Sequence, residues 1–499
     1  MSVALSGPMD GMDGLFIPAS HARRIGKGFS KMVALGLIVF ALSLWVLGGT
    51  VVARARTTQT LPTLAFILAG TSVIFVPGIL EWVAHGCPSI RLMLGHGYYS
   101  SPVSSSTMGE AVLLLGLGTI STVVGSRVGR AFMGPSRIIR FFDDRVRDWA
   151  SLDRWCLLFF VLWFVPVVAT GINNPLLIIH YFLESRNVHG GWSADAFSQI
   201  NQFGGTFAVA RVFADLSLIG IAASMLLVFT GRIRPLTAIF LGIVSILSLA
   251  SGTRTNLAML AGGAVAAAWL FWPSAKFWRF AVVVAVIFPL LAAGMFVYRN
   301  IGITHATFLG SAEYAMEHTA NAIGGKEIGE VAFAISRYPR YYRAIGGSSY
   351  EAVAVGPAPR FLWPTKPVGF SFQNAQNQGF GTDTSISAGW VGEAWAQGGA
   401  WVVLAAGFLA GVLAAWVDRQ MLTAGPMGAS ILLALQLRLA FWVRGDSVVA
   451  FDPIIFAAIL LFLILAIRGM LVGERPAMEI DAPQAYADSS AHMPDDGPA

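Results

Sequence analysis

Long apolar runs dominate the hydrophobic pattern of this chain, and short polar stretches separate them. A membrane-spanning helix needs about 20 mostly apolar residues to cross roughly 30 Å of hydrocarbon. Backbone groups in lipid must be paired within the segment, so each run predicts a helix rather than a barrel strand. We therefore predict an all-α polytopic membrane bundle of about ten to twelve transmembrane helices. The predicted spans are 32–53, 61–84, 108–126, 155–171, 206–229, 235–251, 255–272, 279–297, 387–416, 426–443 and 451–470.

The spans divide the chain into five regions. The longest polar stretch is an extracytoplasmic loop, where we predict short helices over 311–345 and irregular structure from Gly346 to Gly381. Long loops are uncommon without a function, so this loop is where we expect an active site. The regions are a basic N-terminal segment 1–31, the first part of the bundle 32–297, the loop 298–386, the second part of the bundle 387–473 and a disordered cytoplasmic tail 474–499.

Composition agrees with a membrane protein. Hydrophobic residues make up 56% of the 499 residues and charged residues only 12%, against roughly 25% charged residues in soluble domains. The net charge of +6 does not indicate nucleic-acid binding, because the basic residues flank apolar spans. Cys87 and Cys156 form no motif and are predicted to be buried free thiols.

The basic residues also predict the orientation of the bundle. The densest basic stretch is 127–154, which the positive-inside rule places in the cytoplasm. Counting spans forward puts the loop 298–386 outside and the C-terminus in the cytoplasm. Counting backward puts the basic N-terminus outside, against the same rule. We interpret the first apolar run as a retained signal-anchor.

Several cations fall on the predicted outer side, where the positive-inside rule disfavours them. Arginine binds phosphate oxygens through two parallel hydrogen bonds, so these residues are candidates for binding a pyrophosphate near the lipid surface. A solvated helix face formed by Arg337, Arg340 and Arg343, paired with Glu327 or Glu330, is an equally good interpretation of that trio. The candidates for pyrophosphate binding are Arg254, Arg299, Arg340, Arg360 and Lys366.

A proline-rich segment, 357–367, carries two of these cations. Its four prolines fix backbone angles, which would hold Arg360 and Lys366 in place at a low entropic cost, while Phe361 and Trp363 anchor the segment at the membrane interface. The alternative is a rigid structural turn.

Two residues are candidate proton acceptors. Glu393 lies within the ninth predicted span, where an ionisable residue is costly and indicates a function or a counter-ion to Arg254 or Arg360. His318 lies one helical turn after Tyr314, although a lone histidine more often has a structural role. Since no metal-binding or phosphate-loop motif occurs, we predict chemistry without a metal or cofactor.

Three motifs together resemble the O-antigen and exopolysaccharide repeat-unit polymerases, often called Wzy-type. They are the turn Ser251-Gly-Thr-Arg254-Thr, the segment Pro359-Arg360-Phe-Leu-Trp363-Pro364-Thr-Lys366-Pro367, and Gly392-Glu393 followed by Gly398-Gly399. The resemblance covers about residues 200–420 and is carried by short motifs. The long Arg-rich inner loop departs from the pattern of that family.

The resemblance implies a membrane glycosyltransferase similar to the C-type enzymes, at the periplasmic face of the bacterial inner membrane. Such a polymerase transfers a glycan from undecaprenyl pyrophosphate onto a lipid-linked repeat unit. Arg254, Arg299, Arg360 and Lys366 would neutralise the pyrophosphate, and Glu393 or His318 would accept the proton. The implied partners are the lipid-linked oligosaccharide, membrane lipid, and flippase and chain-length regulator proteins.

Two other functions are compatible with the same features. An O-antigen ligase would share the fold and the lipid-linked donor but would use another acceptor. A transporter or flippase would carry polar residues along several spans and show internal repeats. The polar residues here concentrate on one side, which favours a transferase.

Overall fold

Helices account for nearly all of the regular structure. The computed structural model describes residues 31–57, 62–92, 100–132, 136–146, 148–165, 205–250, 254–272, 274–300, 325–356, 363, 365–380 and 385–472. Within these ranges the chain forms sixteen helices, and an isolated bridge between Ile90 and Val103 is the only strand-like pairing. The predicted all-α polytopic membrane fold is confirmed.

The helices follow the apolar runs closely. The first nine are α1 (Lys31–Thr57), α2 (Thr63–Ala84), α3 (Ser105–Phe132), α4 (Arg137–Arg145), α5 (Trp149–Leu162), α6 (Gly205–Phe229), α7 (Pro235–Ala250), α8 (Arg254–Phe271) and α9 (Ser274–Asn300). The remaining seven are α10 (Gly325–Arg337), α11 (Ser348–Ala354), α12 (Phe370–Asn377), α13 (Gly389–Gly398), α14 (Ala400–Met421), α15 (Pro426–Trp442) and α16 (Ser447–Val472).

Five described helices, α1, α2, α3, α14 and α16, are long and apolar enough to cross a membrane. Four more apolar stretches, in α6, α7, α8 and α15, are 10–17 residues long within the described part of the chain. Many large apolar side chains on these helices are exposed, such as Trp45 and Trp401, which suits a surface in contact with lipid.

One predicted span is wrong in detail. The run 387–416 is not a single helix but two, α13 and α14, which are separated at Gly399. Gly399 has φ 76° and ψ −158°, a combination that is essentially restricted to glycine. The hydrophobic pattern continues through this break, so it gives no sign that the helix axis changes there.

Helix α3 lies at the centre of the bundle, between α1 and α14. Its glycines allow the backbones to approach closely, as is common between membrane helices. A Cβ atom at Gly125 would overlap with the carbonyl of Phe408, and one at Gly411 would overlap with the carbonyl of Thr122. The α3–α14 interface therefore requires small residues on both helices.

Helices α1 and α3 run in the same direction. Gly36 packs against Gly109 near the start of both helices, and Arg54 bonds to Ser126 near the end of both. The start of α1 and the arginine-rich end of α3 therefore lie at opposite ends of the bundle. The structure has three helices before the arginine-rich segment that are long and apolar enough to cross a membrane, which agrees with the predicted number. The predicted conflict with the charge rule for the N-terminus stays open.

A polar cap, defined as the described residues between 325 and 398, packs on the bundle through α2, α3 and α16. Helix α10 is almost wholly buried along residues 327–335, with Ile328 and Val331 in the same apolar cluster as α2 and α3. The prediction of irregular structure over 346–381 is wrong in part, because the described residues of this stretch include α11 and α12. Both helices are short and are held by contacts with distant side chains.

Candidate functional site

Two fully buried carboxylates lie between the polar cap and the bundle. Glu393 is on α13 and Asp446 directly precedes α16, and the exposed fraction of each residue is 0%. A buried carboxylate is costly unless it accepts hydrogen bonds, so the partners of these two groups determine what they can do.

Glu393 joins three helices. Its Oε1 accepts a hydrogen bond from the Ser349 hydroxyl of α11. Its Oε2 accepts from the backbone N–H of Ser447, at 2.9 Å, and from the hydroxyl of the same residue, at 2.8 Å. The Ser447 hydroxyl in turn accepts a hydrogen bond from Trp442 Nε1, at 3.0 Å. Glu393 thus connects α13 with α11 and with the start of α16.

Asp446 has a matching role for α12. Its Oδ2 accepts hydrogen bonds from the backbone N–H of Ser371, at 2.8 Å, and from the Ser371 hydroxyl, at 2.7 Å. Its Oδ1 accepts from the N–H of Val449, at 2.9 Å, which caps the first turn of α16. We call Glu393, Asp446 and the serines Ser349, Ser371 and Ser447 the carboxylate junction.

The carboxylate junction fixes both ends of the proline-rich segment. Helix α11 precedes this segment and α12 follows it, so both flanking helices are tied to the bundle. Lys366 closes the base of the loop, because its Nζ donates a hydrogen bond to the carbonyl of Gly356 at 2.5 Å. Gly356 itself lies against Asp452 of α16. These contacts hold the two ends of the proline-rich segment, and the predicted stiffness of residues 357–362 lies outside the described part of the structure.

Two arginines of the trio, Arg337 at the end of α10 and Arg340 after it, stack with aromatic rings. Arg337 lies over Phe333 and Tyr341, with its Cζ 5.2 Å and 5.0 Å from the ring centroids, and Arg340 lies 5.4 Å from the centroid of Tyr341. The Tyr341 ring is 61% exposed. The Tyr341 ring thus lies between two guanidinium groups, of which that of Arg340 belongs to an exposed residue.

Both glutamates proposed as partners of the trio accept hydrogen bonds from side chains outside it. Glu327 Oε1 accepts from Arg444 Nε at 2.9 Å, and Glu330 Oε2 accepts from Gln378 Nε2 at 3.2 Å. Arg444, in the turn before α16, was not among the sequence candidates. Its salt bridge joins α10 to the bundle beside the carboxylate junction.

Aromatic side chains brace the other side of the cap. Tyr338 is buried, and its hydroxyl accepts a hydrogen bond from Asn377 Nδ2 at 2.8 Å. Burial raises the pKa of Tyr338 to about 12. Trp395 Nε1 donates to the Tyr338 carbonyl at 3.0 Å. Tyr338 is therefore a structural group, and it would remain protonated at neutral pH.

The structure places the remaining candidates only in part. Arg254 is the first residue of α8 and Arg299 lies in the last turn of α9, but their side chains are outside the described part of the structure. Arg360 and His318 also fall outside the described residues. Convergence of these residues with Lys366 and Arg340 stays a prediction.

A second buried polar network lies at the opposite end of the bundle. Arg54 of α1, which is 3% exposed, forms a salt bridge of 3.2 Å with Asp418 of α14 and donates to the carbonyl and hydroxyl of Ser126. Asp418 also accepts hydrogen bonds of 2.6 Å from the N–H and the hydroxyl of Thr63, at the start of α2. This network joins the ends of four helices and is distant from the cap.

Comparison with known proteins adds no relative. The chain matches no protein-family model, no curated protein and no solved structure.

Proposed function

We propose that this chain is a membrane glycosyltransferase that polymerises lipid-linked repeat units of a bacterial surface polysaccharide. The observation that carries the proposal is that both ends of the proline-rich segment, whose sequence includes Arg360, are held in place. Lys366 closes the base of this segment, and the carboxylate junction ties both flanking helices to the bundle. A cationic segment whose two ends are held on a helical membrane scaffold suits the binding of a lipid pyrophosphate.

The proposed reaction transfers one glycan chain to another. A hydroxyl of the acceptor sugar attacks the anomeric carbon of the growing glycan on undecaprenyl pyrophosphate. A new glycosidic C–O bond forms while the C–O bond to the pyrophosphate breaks, and its electron pair leaves with the pyrophosphate. The acceptor hydroxyl gives its proton to a base of the protein.

Cations would stabilise the leaving group. Arg254, Arg299, Arg340, Arg360 and Lys366 are the proposed ligands of the pyrophosphate, whose negative charge increases as the bond breaks. The site in this scheme faces the periplasm from the inner membrane, and the C-terminus lies in the cytoplasm.

The proton acceptor is proposed to be His318. Glu393 was the other candidate, and its role as a base remains a prediction. However, both of its oxygens already accept hydrogen bonds, and the residue is completely buried. These contacts favour a positioning role, in which Glu393 holds α11 and α16 beneath the loop.

The test is to delete the gene and measure the size of the surface glycan. A lost polymerase leaves single repeat units, and complementation with the wild-type gene restores long chains. Arg360→Ala and Arg254→Ala should fail to restore them at normal protein levels. If long chains persist but stay unattached, the protein is a ligase. If both variants complement fully, the pyrophosphate site is wrong.

A further inference from the structure

A basic face occupies the end of the bundle opposite the polar cap. We define it by five exposed arginines: Arg127 and Arg130 in the last turns of α3, Arg137 and Arg140 on α4, and Arg419 near the end of α14. Arg419 Nη1 also donates a hydrogen bond to the carbonyl of Arg130 at 3.3 Å, which places α3 and α14 side by side here.

Helix α4 lies along the bundle with one side buried and one side exposed. Its Ile139 and Phe142 are buried in the apolar cluster that includes α15 and α16. Asp143 fixes the helix further, because its carboxylate accepts hydrogen bonds of 2.7 Å and 2.8 Å from the N–H groups of Gly425 and Gly428 at the start of α15. The position of α4 is thus set by the bundle, and its opposite side is presented outward.

Large apolar side chains adjoin the arginines on the exposed side. Phe132, at the end of α3, is 84% exposed, and Ile138, between Arg137 and Arg140, is 67% exposed. Alternating cations and exposed apolar residues are typical of a helix that lies at a membrane interface, with its cations among the headgroups.

The buried acid Asp418 offsets only part of the positive charge in this region, because its negative charge acts on both Arg54 and Arg130. Asp418 forms its salt bridge with Arg54 inside the bundle. Arg127 and Arg130 lie close enough for their positive charges to act on Arg54 as well. An anion at the surface would therefore be attracted by several arginines at once.

The depth of the basic face is set by α3. This helix is apolar and long enough to cross the membrane, so its end lies near the level of the phosphate groups. We propose that the basic face binds the phosphate groups of anionic phospholipids, with Phe132 and Ile138 inserted among the acyl chains. This site is separate from the proposed pyrophosphate site at the other end of the bundle.

The test measures lipid preference directly. The full-length protein is placed in nanodiscs that contain dioleoyl phosphatidylglycerol and dioleoyl phosphatidylcholine, and native mass spectrometry counts each lipid that remains bound. Each surface arginine contributes about 1 kcal/mol to binding an anionic lipid, which is about fivefold in preference. We expect Arg137→Gln/Arg140→Gln to lower the preference for phosphatidylglycerol by at least tenfold, and Arg137→Lys/Arg140→Lys to retain most of it.

A control variant with the same change in charge separates a site from a general effect of net charge. Lys276→Gln/Arg279→Gln removes two exposed cations at the start of α9, outside the basic face. The proposal would be overturned if Arg137→Gln/Arg140→Gln and Lys276→Gln/Arg279→Gln lowered the preference for phosphatidylglycerol equally. It would also be overturned if neither variant lowered that preference. A third result would also overturn it. If deletion of the acidic segment 474–499 changed the preference and the arginine substitutions did not, the arginines would bind that segment and not lipid. An unchanged melting temperature shows that each variant is folded.

Discussion

At the scale of single residues, Arg438 replaces a missing backbone donor. Pro453 lies inside α16 and has no N–H, so the carbonyl of Val449, four residues earlier, loses its helical partner. Arg438 of α15 is 4% exposed and donates to that carbonyl, and its Nε donates to the carbonyl of Ala450 at 2.7 Å. In an apolar environment, an unpaired carbonyl is costly.

We predict that Arg438→Met destabilises the protein by about 1–3 kcal/mol, because it leaves this buried carbonyl without a donor. The measurement is the melting temperature of the purified protein in detergent. Pro453→Ala restores an N–H at the right place, so Arg438→Met should cost less in that background. Equal costs in the two backgrounds would show that Arg438 does not substitute for the missing donor.

Glu393 allows a second prediction at this scale. Glu393→Gln keeps the size of the side chain but places an amide NH₂ among donors from Ser349 and Ser447. Two donors facing each other in a buried site should cost about 1–3 kcal/mol. We therefore expect a lower melting temperature together with shorter surface glycans.

The two readouts separate the two roles of Glu393. If it positions the loop, glycan length and melting temperature fall together, and Ser349→Ala gives a milder version of both effects. If glycan synthesis stops while the melting temperature holds, Glu393 acts as the proton acceptor instead.

At the scale of helices, the α3–α14 interface depends on glycines. We predict that Gly411→Ala destabilises the protein by about 1–3 kcal/mol, since the new methyl group overlaps with the backbone of Thr122. Gly242→Ala in α7 is the matched control, because a Cβ there meets nothing within 4 Å. It should be neutral or stabilising by up to about 1 kcal/mol. Similar melting temperatures for the two variants would contradict close packing of α3 on α14.

Most helices could be predicted from the sequence, because a segment that crosses lipid must be apolar over about 20 residues and must pair its own backbone groups. The runs 206–229 and 235–251 coincide with α6 and α7 almost to the residue. The break at Gly399 could not be predicted this way, since an apolar run has the same hydrophobic pattern whether or not the helix is interrupted at one glycine. Helices α11 and α12 were missed because their polar composition is typical of a loop. They are held in place by Glu393 and Asp446, which are far from them in the sequence.

The candidate site was predictable only in outline. Glu393 was found because an acid within an apolar stretch is conspicuous, but nothing nearby in sequence indicates Ser349 or Ser447 as its partners. The Arg54–Asp418 salt bridge was missed for the same reason, because its two residues are 364 positions apart. Partners that meet only through tertiary packing leave no local pattern.

At the scale of the whole molecule, the two ends of the bundle differ in character. One end carries the carboxylate junction and the polar cap. The other carries the Arg54–Asp418 network and the basic face. Because α1, α3 and α14 run in the same direction, residues before α3 and residues after α14 must lie at opposite ends.

We predict opposite labelling for Ser101→Cys, which lies before α3, and Thr423→Cys, which follows α14. Both residues are exposed, and the two native cysteines, Cys87 and Cys156, are buried and are replaced by alanine in the background. A membrane-impermeant maleimide should label Ser101→Cys in right-side-out vesicles and Thr423→Cys only in inverted ones, since arginine-rich ends remain in the cytoplasm. Labelling of both from one side would contradict the parallel arrangement, whereas reversed labelling would place the polar cap in the cytoplasm and exclude a periplasmic polymerase.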